Sequence, residues 1–98
     1  MFTLSEENYL KAIYHLELDT NKGISTNAIA KKLETKASSV TDMIKKLSEK
    51  EVIVYKKYKG VTLTSFGRKT AASIVRKHRL WEVFLVDKLN IPIYKIKA

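Results

Sequence analysis

Residues 24–64 constrain the fold most, because their pattern of side chains changes from helical to extended within a short stretch. Two blocks with helical spacing of apolar residues are joined by only Glu34-Thr35-Lys36. Two β-branched and aromatic runs, Val52-Ile53-Val54-Tyr55 and Val61-Thr62-Leu63-Thr64, then flank a basic loop that ends in Gly60. A helix pair with so short a connection indicates a helix-turn-helix. The hairpin behind it completes the pattern of a winged helix-turn-helix.

The second block of this segment, residues 38–50, predicts a helix with one apolar stripe and one polar face. The apolar residues recur at i, i+3, i+4 and i+7, at Val40, Met43, Ile44 and Leu47. Hydroxyls, a carboxylate and lysines on the free face suit a DNA major groove, where they bond to base edges and phosphates. The predicted DNA contacts are Ser38, Ser39, Thr41, Asp42 and Lys45, together with Lys36 just before the helix. Ser38 has an alternative interpretation as a helix cap only.

The net charge of +9 lies almost entirely in the second half of the chain. Residues 1–50 hold eight Lys/Arg against seven Asp/Glu, whereas residues 51–98 hold eleven against three. A region with so large an excess of positive charge attracts a polyanion, either nucleic acid or an anionic membrane surface. Because the charge coincides with the predicted wing, we expect Lys57 and Lys59 to contact the DNA backbone. The alternative is a solvated hairpin tip.

The remaining chain predicts a first helix capped by Thr3 or Ser5, and a long fourth helix from Thr64 or Ser65 to about Leu89. The predicted inner face of the fourth helix comprises Ala71, Ile74, Val75, His78, Trp81, Leu85 and Leu89. Its apolar residues exceed what a three-helix core with a wing needs, which is typical of an interface. We therefore predict a DNA-binding domain over residues 1–64. Residues 65–98 are expected to be the long helix and the start of a dimerisation region that is cut short, so the predicted fold class is mostly α.

Composition excludes several other classes of protein. Without cysteine there are no disulfides, no cysteine zinc site and no thiol catalysis, which fits a cytoplasmic protein. No apolar run approaches the roughly 20 residues of a membrane span. The chain has neither a glycine-rich phosphate loop nor a His-Glu-x-x-His helix, so we do not expect an enzyme.

One histidine could take part in metal binding. His78 and Glu82 are four residues apart on the fourth helix and can meet on one face. An imidazole with a carboxylate is a plausible half-site for manganese or iron. On spacing alone, an ordinary His–Glu pair is the favoured interpretation.

Four segments in the same order along the chain resemble the diphtheria-toxin-repressor family of metal-dependent regulators. They are Asn8-Tyr9-Leu10-Lys11-Ala12-Ile13-Tyr14, Ser39-Val40-Thr41, Leu63-Thr64-Ser65-Phe66-Gly67 and Arg76-Lys77-His78-Arg79-Leu80. The resemblance implies a regulator that binds operator DNA as a homodimer when loaded with Fe2+ or Mn2+, usually as a repressor. It implies further that metal fixes the first helix against the fourth.

The resemblance also assigns residues to a metal site. His78 and Glu82 match family ligands, and Asn8 stands where the family has an aspartate or methionine ligand. Lys11 stands where manganese-type members have a glutamate, and a protonated lysine cannot ligate. The family's remaining ligands lie downstream of Ala98, so the site is incomplete in this chain. Two alternatives follow, namely a metal-independent winged-helix regulator and a winged-helix module that binds protein.

Overall fold

The computed structural model describes residues 2–20 and 22–89, which form four helices and a two-stranded sheet. In chain order the elements are α1 (Leu4–Leu18), α2 (Thr26–Leu33), α3 (Ala37–Glu49), β1 (Ile53–Lys56), β2 (Gly60–Leu63) and α4 (Ser65–Leu89). The predicted winged helix-turn-helix with a long fourth helix is confirmed.

Side-chain caps set the beginnings of three of the four helices. The Thr3 hydroxyl accepts the Glu6 N–H and the Glu6 carboxylate accepts the Thr3 N–H, a capping box that starts α1. Ser25 caps α2 through the Ala28 N–H, and Thr64 accepts the Gly67 N–H at the start of α4. In contrast, α3 follows Lys36 with no side-chain cap. The alternative interpretation of Ser38 as a cap is therefore wrong, because Ser38 lies inside the helix.

The core lies between the three N-terminal helices, the base of the hairpin and the first half of α4. Its largest fully buried side chains are Leu10, Ile13, Ile29, Leu47, Val40, Val52 and Val61. The predicted α3 stripe is confirmed, since Val40, Ile44 and Leu47 are buried and Met43 is partly buried against the core. Burial of this stripe fixes which face of α3 remains outside.

The wing is an antiparallel hairpin that is anchored to the helix pair through a third segment. The strands pair from Ile53 opposite Leu63 to Lys56 opposite Gly60. Ile24, just before α2, forms a bridge with Val61 through two N–H···O bonds of 2.8 and 2.7 Å. Gly60 has the predicted positive φ, +87°, and a Cβ there would lie 2.6 Å from the Ile24 carbonyl oxygen. The turn needs a second positive φ, at Tyr58, that the sequence pattern did not indicate.

The long helix α4 is covered in its first half and exposed in its second. Ala71 and Ile74 are buried and His78 is partly buried, as predicted. Trp81 is 57% exposed, so its assignment to the inner face is wrong. The reason is the position of α1, whose first turn meets α4 at Lys77 and His78 through Glu7, so that α1 covers little of α4 beyond His78. The side chain of Leu89 and the predicted tail interface lie outside the described residues.

Apolar side chains on the second half of α4 face solvent. They are Leu80, Trp81, Val83, Phe84 and Val86, and the Trp81 and Phe84 rings stack with centroids 5.3 Å apart. None of the described helices has the length and hydropathy needed to cross a membrane.

Candidate nucleic-acid interface and metal half-site

The outer face of α3 presents the predicted contact residues to solvent. Lys36, Ser38, Ser39, Thr41, Asp42 and Lys45 are all exposed. The Thr41 hydroxyl donates to the Ala37 carbonyl at 3.1 Å, so its proton is used within the helix. Its oxygen lone pairs and methyl group remain available, and a threonine methyl can contact a thymine methyl.

The beginning of α3 also suits an anion. No side chain caps it, so the N–H groups of its first turn have no side-chain acceptor. The positive end of the helix dipole lies at the same place. Together with the exposed hydroxyls of Ser38 and Ser39, this turn can bind a phosphate oxygen.

The wing tip forms a second exposed group with a positive charge. Lys56, Lys57 and Lys59 are exposed, and Tyr58 is 94% exposed. The Lys57 ammonium lies 5.4 Å from the centre of the Tyr58 ring, a cation–π contact that leaves the charge in solvent. Within residues 2–20 and 22–89 no carboxylate lies within salt-bridge distance of these lysines. The wing charge is therefore not neutralised inside the described structure.

Among the described residues, the predicted metal ligands do not form a complete site. His78 Nε2 lies 3.3 Å from Glu7 Oε1, and the other oxygen of Glu7 lies 2.7 Å from Lys77 Nζ. The hydrogen bond from Lys77, with a further contribution from His78, lowers the pKa of Glu7 despite its partial burial. Among the described residues, Glu7 and not Asn8 is therefore the hydrogen-bond partner of His78. Glu82 is partly buried one turn further along α4.

A divalent ion needs more donor atoms in one place than the described residues bring together. In the part of the chain that the structure describes, no three histidine, aspartate or glutamate side chains converge to hold a metal. Two ligands do not complete a site for manganese, iron or zinc. The described residues therefore do not by themselves fit a metal ion, and the assignment of Asn8, His78 and Glu82 stays a prediction.

Three glutamates of α1 have structural roles that the sequence reasoning missed. Glu6 is paired with Lys50, which lowers the pKa of this buried carboxyl. Glu17 is paired with Arg68 at 2.5 Å and accepts the Leu63 N–H of β2. A signal did exist, because Glu6 and Glu17 share the helical stripe of Leu10 and Ile13 and so point inward with the core.

Comparison with known proteins supports the resemblance over nearly the whole chain. Residues 1–61 match the model of the iron-dependent repressor N-terminal DNA-binding domain. Residues 64–98 match the model of the iron-dependent repressor metal-binding and dimerisation domain.

Two curated relatives are regulators of the helix-turn-helix type. One, from Methanocaldococcus jannaschii, is 40% identical over 87 residues, which cover 89% of this chain and 70% of the relative. The other is the transcriptional regulator MntR of Bacillus subtilis, 40% identical over 85 residues, which cover 87% of this chain and 59% of MntR.

Two solved structures have the same fold. The manganese regulator SloR is 40% identical with a TM-score of 0.78, covering 93% of this chain and 42% of SloR. The T. acidophilum IdeR is 29% identical with a TM-score of 0.78, covering 98% of this chain and 45% of IdeR. The chain thus spans less than two thirds of MntR and less than half of the two regulators of known structure.

Proposed function

This chain belongs to the iron-dependent repressor family, and we propose that it is the operator-binding part of a metal-dependent transcriptional regulator. The family consists of transcriptional regulators, so the prediction that the chain is not an enzyme is confirmed. The observation that carries the proposal is the exposed polar face of α3 together with the wing that follows it. The first turn of α3 has no side-chain cap, and the wing lysines form no ion pair with any described residue. We place the protein in the cytoplasm, where it has access to DNA.

In the proposed mechanism, α3 enters the major groove and the wing holds the backbone. Ser39 and Thr41 bond to phosphates or base edges, and Asp42 accepts from the N4 amino group of cytosine. The N–H groups at the start of α3 bind a phosphate beside Ser38, and Lys36 and Lys45 bind neighbouring phosphates. Lys57 and Lys59 of the wing add contacts that do not depend on the base sequence.

We further propose that two copies bind one operator as a homodimer and act as a repressor. The match of residues 64–98 to a dimerisation domain and the exposed apolar side chains of α4 support this assembly. Two-fold symmetry then requires an inverted-repeat operator, with half-sites about one helical turn apart, roughly 34 Å, or a multiple of that.

Selection of duplexes from a random-sequence DNA library by the chain tests DNA binding directly. We expect an inverted repeat, and a gel shift that weakens steeply between two salt concentrations. Thr41→Ala with Lys45→Ala should lower affinity for the selected duplex at least tenfold, since a good base contact is worth about 1–3 kcal/mol. Lys88→Ala, which removes an exposed charge near the end of α4, is the control and should have little effect. A folded chain that binds no duplex even at low salt would overturn the proposal.

The response to Fe2+ or Mn2+ is the second part of the proposal. His78 and Glu82 would be ligands, with Asn8 as a weaker one through its amide oxygen. The affinity of the parent and of His78→Ala for the selected duplex is compared with Mn2+, with Fe2+ and with chelator. A metal response in the parent that His78→Ala loses is the expected result, and an equal response in both discards the ligand assignment.

A metal-independent regulator is the second candidate function. It is favoured by the lack of a convergent ligand set in the described residues and by lysine at position 11. Full affinity of the parent for its duplex in chelator would support this candidate instead.

A further inference from the structure

Glu6 is a buried carboxylate to which the proposed DNA contacts assign no role. It is 4% exposed, and it is the one buried charged side chain in the described part of the chain. Its two oxygens lie 2.9 and 2.8 Å from Lys50 Nζ, and Oε1 also accepts the Thr3 N–H at 2.8 Å. The Phe2 ring lies 4.9 Å from the same ammonium. The charge pair is therefore partly shielded from water. Such shielding strengthens the attraction between the two charges.

Lys50 lies where α3, the proposed recognition helix (the reader helix below), passes into the wing. It is the C-cap of α3, Glu51 follows with a φ of +61°, and β1 begins two residues later at Ile53. We call residues 50–52 the junction, because they are the covalent link between α3 and the wing.

The junction is held from three directions. Its Val52 N–H donates to the Leu47 carbonyl at 3.3 Å, which ties it to α3. Thr64, at the start of α4, donates its hydroxyl to the Glu51 carbonyl at 2.8 Å and its N–H to the Val52 carbonyl at 3.0 Å. Glu6 supplies the third contact, from α1, and does so through a side chain at the first residue of the junction.

We infer that Glu6, acting through Lys50, sets the angle between the reader helix and the wing and is a positioning residue for DNA binding. The inference rests on the proposed function. Helix and wing are two binding elements on one chain, so the wing adds to affinity only if the junction lets both reach the same duplex. A junction fixed in advance avoids the entropy cost of ordering it on binding.

Glu6→Gln isolates the ion pair from the helix cap. Glutamine at this position can still accept the Thr3 N–H, as in other capping boxes, so α1 keeps its first turn. The substitution removes the negative charge that pairs with the Lys50 ammonium. Lys50→Arg keeps the charge and serves as the conservative variant.

The test measures the contribution of the wing to affinity in each background. Lys57→Ala with Lys59→Ala is placed in the parent, in Glu6→Gln and in Lys50→Arg. Affinity for the duplex selected by the parent is measured for all of them in one buffer, the one in which the parent selected that duplex. The temperature is one at which circular dichroism shows every variant folded. In the parent, loss of the wing lysines should weaken binding about tenfold. In Glu6→Gln the same change should cost only about twofold, whereas in Lys50→Arg it should cost about as much as in the parent.

Glu7→Gln is the matched control, because it removes a neighbouring carboxylate that pairs with α4 instead of the junction. The wing lysines should contribute as much in Glu7→Gln as in the parent. An equal contribution of the wing in the parent and in Glu6→Gln would overturn the inference, even if Glu6→Gln lowers stability.

A second measurement does not need DNA and so separates this inference from the proposed function. The chain has no cysteine, so spin labels at Ser39→Cys and Lys57→Cys report only the distance between α3 and the wing. The distribution should be narrow with Glu6 and broader with Glu6→Gln. An unchanged distribution overturns the inference whether or not the chain binds a duplex. Failure to bind any duplex, with a broadened distribution, overturns the proposed function alone.

Discussion

Substitution of Gly67 by alanine should destabilise the protein, although helix propensity alone predicts the opposite. In an open helix, alanine in place of glycine gains about 1 kcal/mol. Gly67, however, is buried in the first turn of α4 against the Val52 backbone. A Cβ would lie 1.8 Å from the Val52 oxygen and 2.7 Å from its carbonyl carbon. Because these are backbone atoms, no rotamer change can relieve the overlap.

The cost follows from the shift that the methyl group would force. Moving the Val52 oxygen from 1.8 Å to the 3.0 Å that real Cβ contacts require separates α4 from the junction by about 1.2 Å. Overpacking of this kind costs about 1–3 kcal/mol. The 3.0 Å bond from the Thr64 N–H to the same oxygen would be weakened, at a cost of about 1 kcal/mol. After subtraction of the gain in propensity, we expect a net loss of about 2 kcal/mol.

Urea denaturation followed by circular dichroism measures this difference. Ser73→Ala is the control, since it also introduces alanine into α4 but at an exposed position, where changes stay within about 0.5 kcal/mol. Equal or greater stability of Gly67→Ala relative to the parent would refute the argument from the close backbone approach.

Three further predictions concern the wing, a histidine and the core. Lys57→Ala and Lys59→Ala should each reduce the slope of log affinity against log salt by about 0.9, measured by titration of the selected duplex; unchanged slopes would mean that neither lysine meets a phosphate. Burial lowers the pKa of His15 below its ordinary value of 6.5. The positive charges of Lys32, Lys11 and Arg79 lower this pKa further, and the charge of Asp19 opposes the shift. The unfolded chain therefore takes up this proton first, and stability should fall as the pH drops below 6.5 towards the folded pKa. His15→Gln should reduce that fall in urea melts at pH 7.5 and 5.5, and an identical fall in both proteins would exclude His15 as its source. Leu10→Ala, at a fully buried position, should cost about 2–5 kcal/mol in the same assay, and a loss below about 1 kcal/mol would show that the site collapses around the smaller side chain.

The helix-turn-helix and wing could be predicted from the sequence because their signals are local. The stripe of Val40, Ile44 and Leu47 depends only on helical periodicity, and the caps at Thr3 and Ser25 depend on residues three positions apart. Such patterns need no knowledge of what packs against them. The element boundaries accordingly agree with the structure to within one or two residues.

Contacts between distant segments could not be predicted in this way. The bridge of Ile24 with Val61 and the pairing of Glu6 with Lys50 join residues that no local pattern relates. The misplacement of Trp81 has the same origin. Periodicity shows which face of α4 is apolar. It does not show how far along that face α1 packs against α4 and buries its side chains. For the same reason, the sequence pattern indicated His78 as a candidate ligand but not Glu7 as its neighbour.

The ion pairs of α1 also change the interpretation of the charge. The sequence count assigned every basic residue after Val52 to one field, but Arg68 and Lys77 are neutralised by Glu17 and Glu7. These cations hold α1 against α4, and their charge is largely cancelled at the distance of a bound duplex. The wing lysines retain their full charge in the described structure. We therefore expect the wing, together with the start of α3, to determine the salt dependence of DNA binding. In this arrangement α1 contributes to binding indirectly, because its three glutamates contact α4, β2 and the junction that orients the wing.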